Sequence, residues 1–190
     1  VSEFILYLLK ELSIMMKNAM VLFCICLMLM VCKSNVDSVD TPPYEGPPYE
    51  GRSLVIGLIG ENPNIREENV DFVEVAFKQL EEEELSSDLD AIFITKEFLV
   101  EASNPQYAKV YHHSDIPFFY IESKKSHVPF TIEELSYADV PDLSAYAYAT
   151  GYYGEESHYW EYGLSNDVRN ESNIQDVYSR IFTTIESLQL

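Results

Sequence analysis

The sequence predicts an α/β domain: a Rossmann-like or flavodoxin-like, mostly parallel sheet with a C-terminal antiparallel β-hairpin and a closing amphipathic helix. Three observations carry this. Short apolar runs at Leu54–Ile59, Ala91–Ile94 and Ile116–Ile121 read as buried strands separated by helix-compatible stretches. A period-two segment follows from Ala145, and the chain closes on apolar residues at helical spacing.

Taken in order, Leu54-Val55-Ile56-Gly57-Leu58-Ile59 is a continuous apolar strand stopped at Gly60. Phe72 to Phe77 alternates toward a second strand, Lys78 to Leu85 is helical, and Ser86-Ser87-Asp88 breaks that helix. Ala91–Ile94 is the third strand. Phe98 to His113 reads as helix in two pieces, with Asn104 capping the second and Pro105 in its first turn, where a missing N–H is harmless. Tyr107, Ala108 and Tyr111 point inward, and Ile116 to Ile121 is the fourth strand.

Thr131-Ile132-Glu133-Glu134 matches a capping box opening a short helix. Ala145, Ala147 and Ala149 alternate with Tyr146, Tyr148 and Thr150, Tyr152 to Ser157 forms a turn, and His158 to Leu164 returns as the hairpin partner. Ile174, Val177, Tyr178, Ile181, Phe182, Ile185 and Leu188 define the inward face of the last helix, capped by Asn170 or Ser172.

Upstream of this domain, 52–190, the organisation differs. Met16-Lys17-Asn18 followed by an unbroken apolar run from Ala19 to Val31 fits a secretory signal peptide, whose core of ~7–15 residues is shorter than the ~20 of a spanning helix. Residues 1–15 then read as an overlong start or prefix and 16–32 as the signal. The rival reading, one anchor from Phe4 to Val31, is interrupted by Lys10, Glu11, Lys17 and Asn18. Leu29-Met30-Val31-Cys32 resembles a bacterial lipobox, which implies lipid attachment at Cys32; Val31 stands where that pattern has a small residue, and the alternative is cleavage after Ser34. Residues 33–51 are a Pro-rich spacer, with Pro-Pro-Tyr-Glu-Gly repeated at 42–46 and 47–51.

Composition narrows the functions. The chain has 32 acidic and 12 basic residues, a formal net charge of −20. Such a field repels nucleic acid and anionic membrane surfaces. All 3 cysteines lie at or before Cys32, so the domain has no disulfide, cysteine nucleophile or thiolate metal site. The loop Gly60-Glu61-Asn62-Pro63-Asn64 after the first strand lacks a dinucleotide or phosphate-loop fingerprint and carries a carboxylate, which argues against a nucleotide. His112 and His113 read as solvent-facing residues at a helix C-terminus, and His127 as part of an exposed loop. No nucleophile elbow is present, and no metal ligands, catalytic residues or cofactor are nominated.

The segment Tyr137 to Tyr162 holds half of the 14 tyrosines and the single tryptophan. Tyr146, Tyr148, Tyr152, Tyr153, Tyr159 and Trp160 are the candidate binding residues, with at least one aromatic row expected to be partly exposed. The segments Ala149-Thr150-Gly151-Tyr152, Tyr159 to Leu164, Asn173 to Ile185, Ser123-Lys124-Lys125 and Pro129-Phe130-Thr131 are similar to small uncharacterised exported or lipid-anchored proteins of Gram-positive bacteria. That resemblance implies an envelope location and no activity. The expectation is a non-catalytic cell-envelope accessory or binding protein. Its partner would be an envelope protein or cell-wall glycan, with the membrane reached through acylated Cys32. The alternative is an extracytoplasmic enzyme with a polar site at the C-terminal edge of the sheet, for which a pocket there holding His127 or Glu61 would speak.

Overall fold

Leu54–Ile59 forms β1, as the apolar run requires, and occupies the middle of a six-stranded sheet. A computed structural model describes Met16 and residues 46–81, 88–143, 147–154 and 157–188. The remaining strands are β2 (Val70–Glu74), β3 (Ala91–Ile94), β4 (Phe118–Ile121), β5 (Ala147–Tyr153) and β6 (His158–Gly163). Helices α1 (Phe77–Glu81), α2 (Leu99–Ala102), α3 (Pro105–His113), α4 (Val128–Thr131) and α5 (Glu171–Ser187) are distributed among them. The chain divides into two units, 1–41 and 42–190. The fold belongs to the second. The signal segment, Cys32 and the spacer up to residue 45 lie outside the described residues. Among the described residues no helix is long and apolar enough to cross a membrane.

The strand order is β2-β1-β3-β4-β5-β6. β1 pairs in parallel with β2 and β3, and β3 with β4, while β5 and β6 run antiparallel. The predicted mostly parallel α/β sheet with a C-terminal hairpin is therefore observed.

Both faces of the sheet are covered, and alternation along the strands assigns each side chain. Leu54, Ile56 and Leu58 of β1 join Phe93, Phe119 and Ile121 beneath Val177, Tyr178, Ile181, Phe182 and Ile185 of α5. Ile92, Ile94, Phe118, Tyr120 and Tyr152 face the other way, against Phe77, Leu80, Leu99, Tyr107 and Tyr111. The α5 stripe follows the expected spacing from Ile174 to Ile185, while Leu188 lies past the helix end and outside the core, and Asn170 caps the helix by accepting from the Asn173 N–H at 2.8 Å.

Four local expectations are corrected. β2 starts at Val70 and is over before Val75, and the β1–β2 crossover contains no helix. Asn104 and Pro105 do open α3, but the Asn104 side chain makes no capping bond. Thr131 ends a helix rather than opening one. Val128 starts α4 with Pro129 in its first turn, Phe130 stacks on Tyr120 with centroids 3.6 Å apart, and Ile132 is already extended. Finally, the folded unit begins before Arg52. Tyr49, assigned to the spacer by its proline-rich surroundings, is 5 % exposed and packs on Phe182 at 6.0 Å.

Candidate functional site

The strand order reverses between β1 and β3, so the loops leaving their carboxyl ends diverge. In open α/β sheets this divergence makes a crevice. A cleft of about 480 Å³ lies at this point. Its walls come from Glu61–Asn64 after β1, Thr95–Glu97 after β3, Glu122 after β4, and Arg169–Glu171 at the start of α5. Tyr148 and Tyr178 also line it.

The backbone is shaped to form this cleft. Gly60 has φ +125, and a Cβ there would lie 1.7 Å from Thr95 Oγ1, so only glycine lets the β1 and β3 loops pass this closely. Thr95 donates to Glu97 Oε2 at 2.7 Å, and that bond holds the Glu97 carboxyl below the usual carboxylate range. Glu122 adopts a left-handed conformation, φ 59, at the end of β4. Such a residue persists only where its surroundings fix it. Arg169 donates to its Oε2, and Lys96 Nζ lies 3.4 Å from its Oε1. The Arg169 guanidinium carbon also stands 5.4 Å from the centre of the Tyr148 ring.

The electrostatics follow from this pairing. Glu61, Glu97, Glu122 and Glu171 face the cleft against two cations, Lys96 and Arg169. Both cations are engaged by Glu122, and Lys96 also lies 3.7 Å from Glu97. Glu171 accepts from the Asn64 amide at 2.7 Å, a neutral donor that leaves its charge standing. Glu61 is exposed and has no cationic partner among the described residues. The cleft thus keeps net negative charge, carried chiefly by Glu61 and Glu171, beside the amides of Asn62, Asn64 and Asn170.

Three of the six aromatics expected to form a binding row do not face solvent. Tyr148, Tyr152 and Tyr153 are buried, because β5 lies inside the sheet with both faces covered. Tyr148 forms part of the cleft wall; Tyr146 lies outside the described residues. On edge strand β6, Tyr159 is 54 % exposed and Trp160 half-buried, stacked on Phe119 at 6.0 Å.

His127 is not on an open loop. It is half-buried, stacked on Tyr159 at 4.4 Å and facing Tyr152 at 5.5 Å. Its Nδ1 is buried without a hydrogen-bond partner. Burial, and then neighbouring His112, hold its imidazole below the ordinary histidine value. His112 is exposed, as expected at the end of this helix, and is also held: its Nε2 lies 2.8 Å from the Thr131 carbonyl and its Nδ1 2.7 Å from the Tyr152 hydroxyl. A carbonyl only accepts, so Nε2 carries a proton. This group lies against α3 and β5, outside the cleft. Among the described residues no cluster of histidine, cysteine and acidic side chains could hold a metal ion.

Sequence reading reached Glu61 through the β1 loop and missed Lys96, Glu122, Arg169 and Tyr178. Position after a buried strand was an available signal for Lys96 and Glu122. Nothing local distinguishes Arg169. Fold and cleft together define a class, an α/β domain with a polar crevice at the switch point of its sheet. No protein-family model matches the chain, and neither the curated proteins nor the solved structures give a match.

Proposed function

We propose that the protein is a non-catalytic binding protein of the cell envelope that holds a small polar ligand bearing an ammonium group in this crevice. The observation that carries the reading is the cleft itself: about 480 Å³, at the sheet's switch point, within the ~300–1,000 Å³ of small-molecule sites. Residual charge on Glu61 and Glu171 repels an anion and attracts a cation, and the asparagine amides suit hydroxyl or carbonyl groups. An amino sugar, as found in cell-wall glycans, has this chemistry.

Glu61 in a pocket at this edge is also what the enzymatic alternative required. Binding is favoured because Glu97 and Glu122 are engaged by Thr95, Lys96 and Arg169 rather than poised for proton transfer. Calorimetric titration of the full chain tests the reading. Glucosamine binds and N-acetylglucosamine, which lacks the ammonium, binds at least ten-fold more weakly; Glu61→Gln with Glu171→Gln removes the difference. Equal affinity for both sugars in the unchanged chain sinks the proposal.

Export supports the envelope setting, and it rests on the apolar run Ala19–Val31 and on Cys32. The same reading has Cys32 acylated. Palmitate labelling of the chain should be lost in Cys32→Ser, and an unlabelled parent chain eliminates the anchor.

A further inference from the structure

The second Pro-Pro-Tyr-Glu-Gly copy is not free spacer. It is bound to the domain as a peptide ligand would be. An Arg66 guanidinium nitrogen donates to the carbonyls of Gly46 and Pro47 at 2.9 and 3.0 Å. Glu67 Oε1 accepts from the Tyr49 N–H at 3.1 Å, and the Tyr49 ring is buried against Phe182. Asn69 donates to the Gly51 carbonyl at 2.8 Å. The glycine sits close in: a Cβ on Gly51 would lie 2.4 Å from the Glu186 carboxylate and 2.5 Å from the Tyr49 ring, so the Glu186 side chain would have to move aside. Behind the slot, Ser179 donates to Glu67 Oε1 and accepts from Arg66, so the receptor is braced by α5.

Every feature this slot reads within the pentad recurs in residues 42–46, with Tyr44 at the tyrosine position and Gly46 at the glycine position. We propose that residues 49–51 occupy a Pro-Pro-Tyr-Glu-Gly recognition site whose second ligand is the first copy of the same repeat, entering by a five-residue slip of the chain. The structure also says which register is preferred. With residues 47–51 docked, the following residue is Arg52, whose N–H donates to Glu186 Oε1 at 3.0 Å. With residues 42–46 docked, the following residue is Pro47, which has no N–H to give. The resident register therefore keeps the contacts of Arg52, its N–H to Glu186 and its guanidinium to Asp90 at 2.7 Å, which the slipped register displaces. The slip draws five residues out of the spacer, about 16 Å of extended chain at ~3.1 Å per residue. The five residues drawn in bulge between the slot and β1, whose first residue Leu54 stays held by the Asn69 carbonyl at 3.0 Å, and the tether thereby acquires two lengths.

Thermal unfolding of the full chain tests this with Tyr44→Ala, Tyr49→Ala and the double variant. Tyr44→Ala melts with the parent. Tyr49→Ala keeps most of the parent's melting temperature because Tyr44 fills the slot, and the double variant melts well below both. Free Pro-Pro-Tyr-Glu-Gly peptide raises the melting temperature of the double variant. A double variant that does not fold, beside a folded Tyr49→Ala, also supports the slip. Tyr49→Ala falling as far as the double variant overturns it, as does a peptide without effect on a folded double variant. A melting temperature of Tyr49→Ala that rises with protein concentration assigns Tyr44 of a second copy to the slot and overturns the slip within one chain.

Discussion

Raising the pH past 10 unfolds the domain cooperatively, well before any arginine titrates. The cause is the number of tyrosines in the core. Burial pushes Tyr111, Tyr120 and Tyr178 above their ordinary value of 10, and a neighbouring tyrosine raises each of them further. Burial likewise raises Tyr49 and Tyr162 to about 12. A tyrosine ionises near 10 in the unfolded chain and stays protonated in the fold. Its contribution is therefore complete below pH 10 and is lost as pH rises above it. One unit above, each such group costs about 1.4 kcal/mol. Tyr111, Tyr120 and Tyr178 together cost about 4 kcal/mol, a large share of the ~5–15 kcal/mol that holds a domain. Circular dichroism followed against pH should show loss of structure between 10 and 12, together with the ultraviolet signal of tyrosinate. Tyrosinate appearing well before structure is lost would mean that these hydroxyls are not sealed in the core.

Phe93→Ala is the most damaging single core substitution. Phe93 is fully buried at the centre of β3, with the rings of Phe72, Phe119, Tyr178 and Phe182 at 5.5–6.2 Å from its own. Truncation loses the transfer energy and leaves a cavity between sheet and α5, at a cost of about 3–5 kcal/mol. Chemical denaturation should place the variant at or near the edge of folding. The damage reaches the cleft, because α5 carries Asn170 and Glu171 into it. A loss below about 1 kcal/mol would contradict the packing of α5 on β3.

Much of the fold was legible because it is written locally. The continuous apolar runs of β1 and β3 need burial on both faces, which only a covered parallel sheet provides. The α5 stripe and its Asn170 cap are likewise local signals. The β5 tyrosines show where such signals stop. Alternation puts Tyr148 and Tyr152 on one face, but the irregularity between Ala147 and Ala149 sends them to opposite faces, and both faces are covered. Thr131 fits a capping pattern that loses to Pro129 and to the stacking of Phe130 on Tyr120. Tyr49 looks like spacer because its burial depends on Glu67 and Phe182, far along the chain.

The cleft was legible only in part for the same reason. The strand order places a crevice after β1 and β3, and Glu61 could be found that way. Its central group is a meeting of Lys96, Glu122 and Arg169 from three separate loops. No spacing encodes that meeting, and the proximity of Tyr178 to Tyr148 across it comes from α5 lying on the sheet.

The occupancy of the crevice is tested most directly by amide hydrogen exchange of the full chain with and without saturating glucosamine. The proposed function predicts slowed exchange at Glu61, Asn62, Asn64, Thr95–Glu97 and Arg169–Glu171, with β6 unchanged. Protection confined to Tyr159 and Trp160 on β6, or no protection in the crevice, would contradict it.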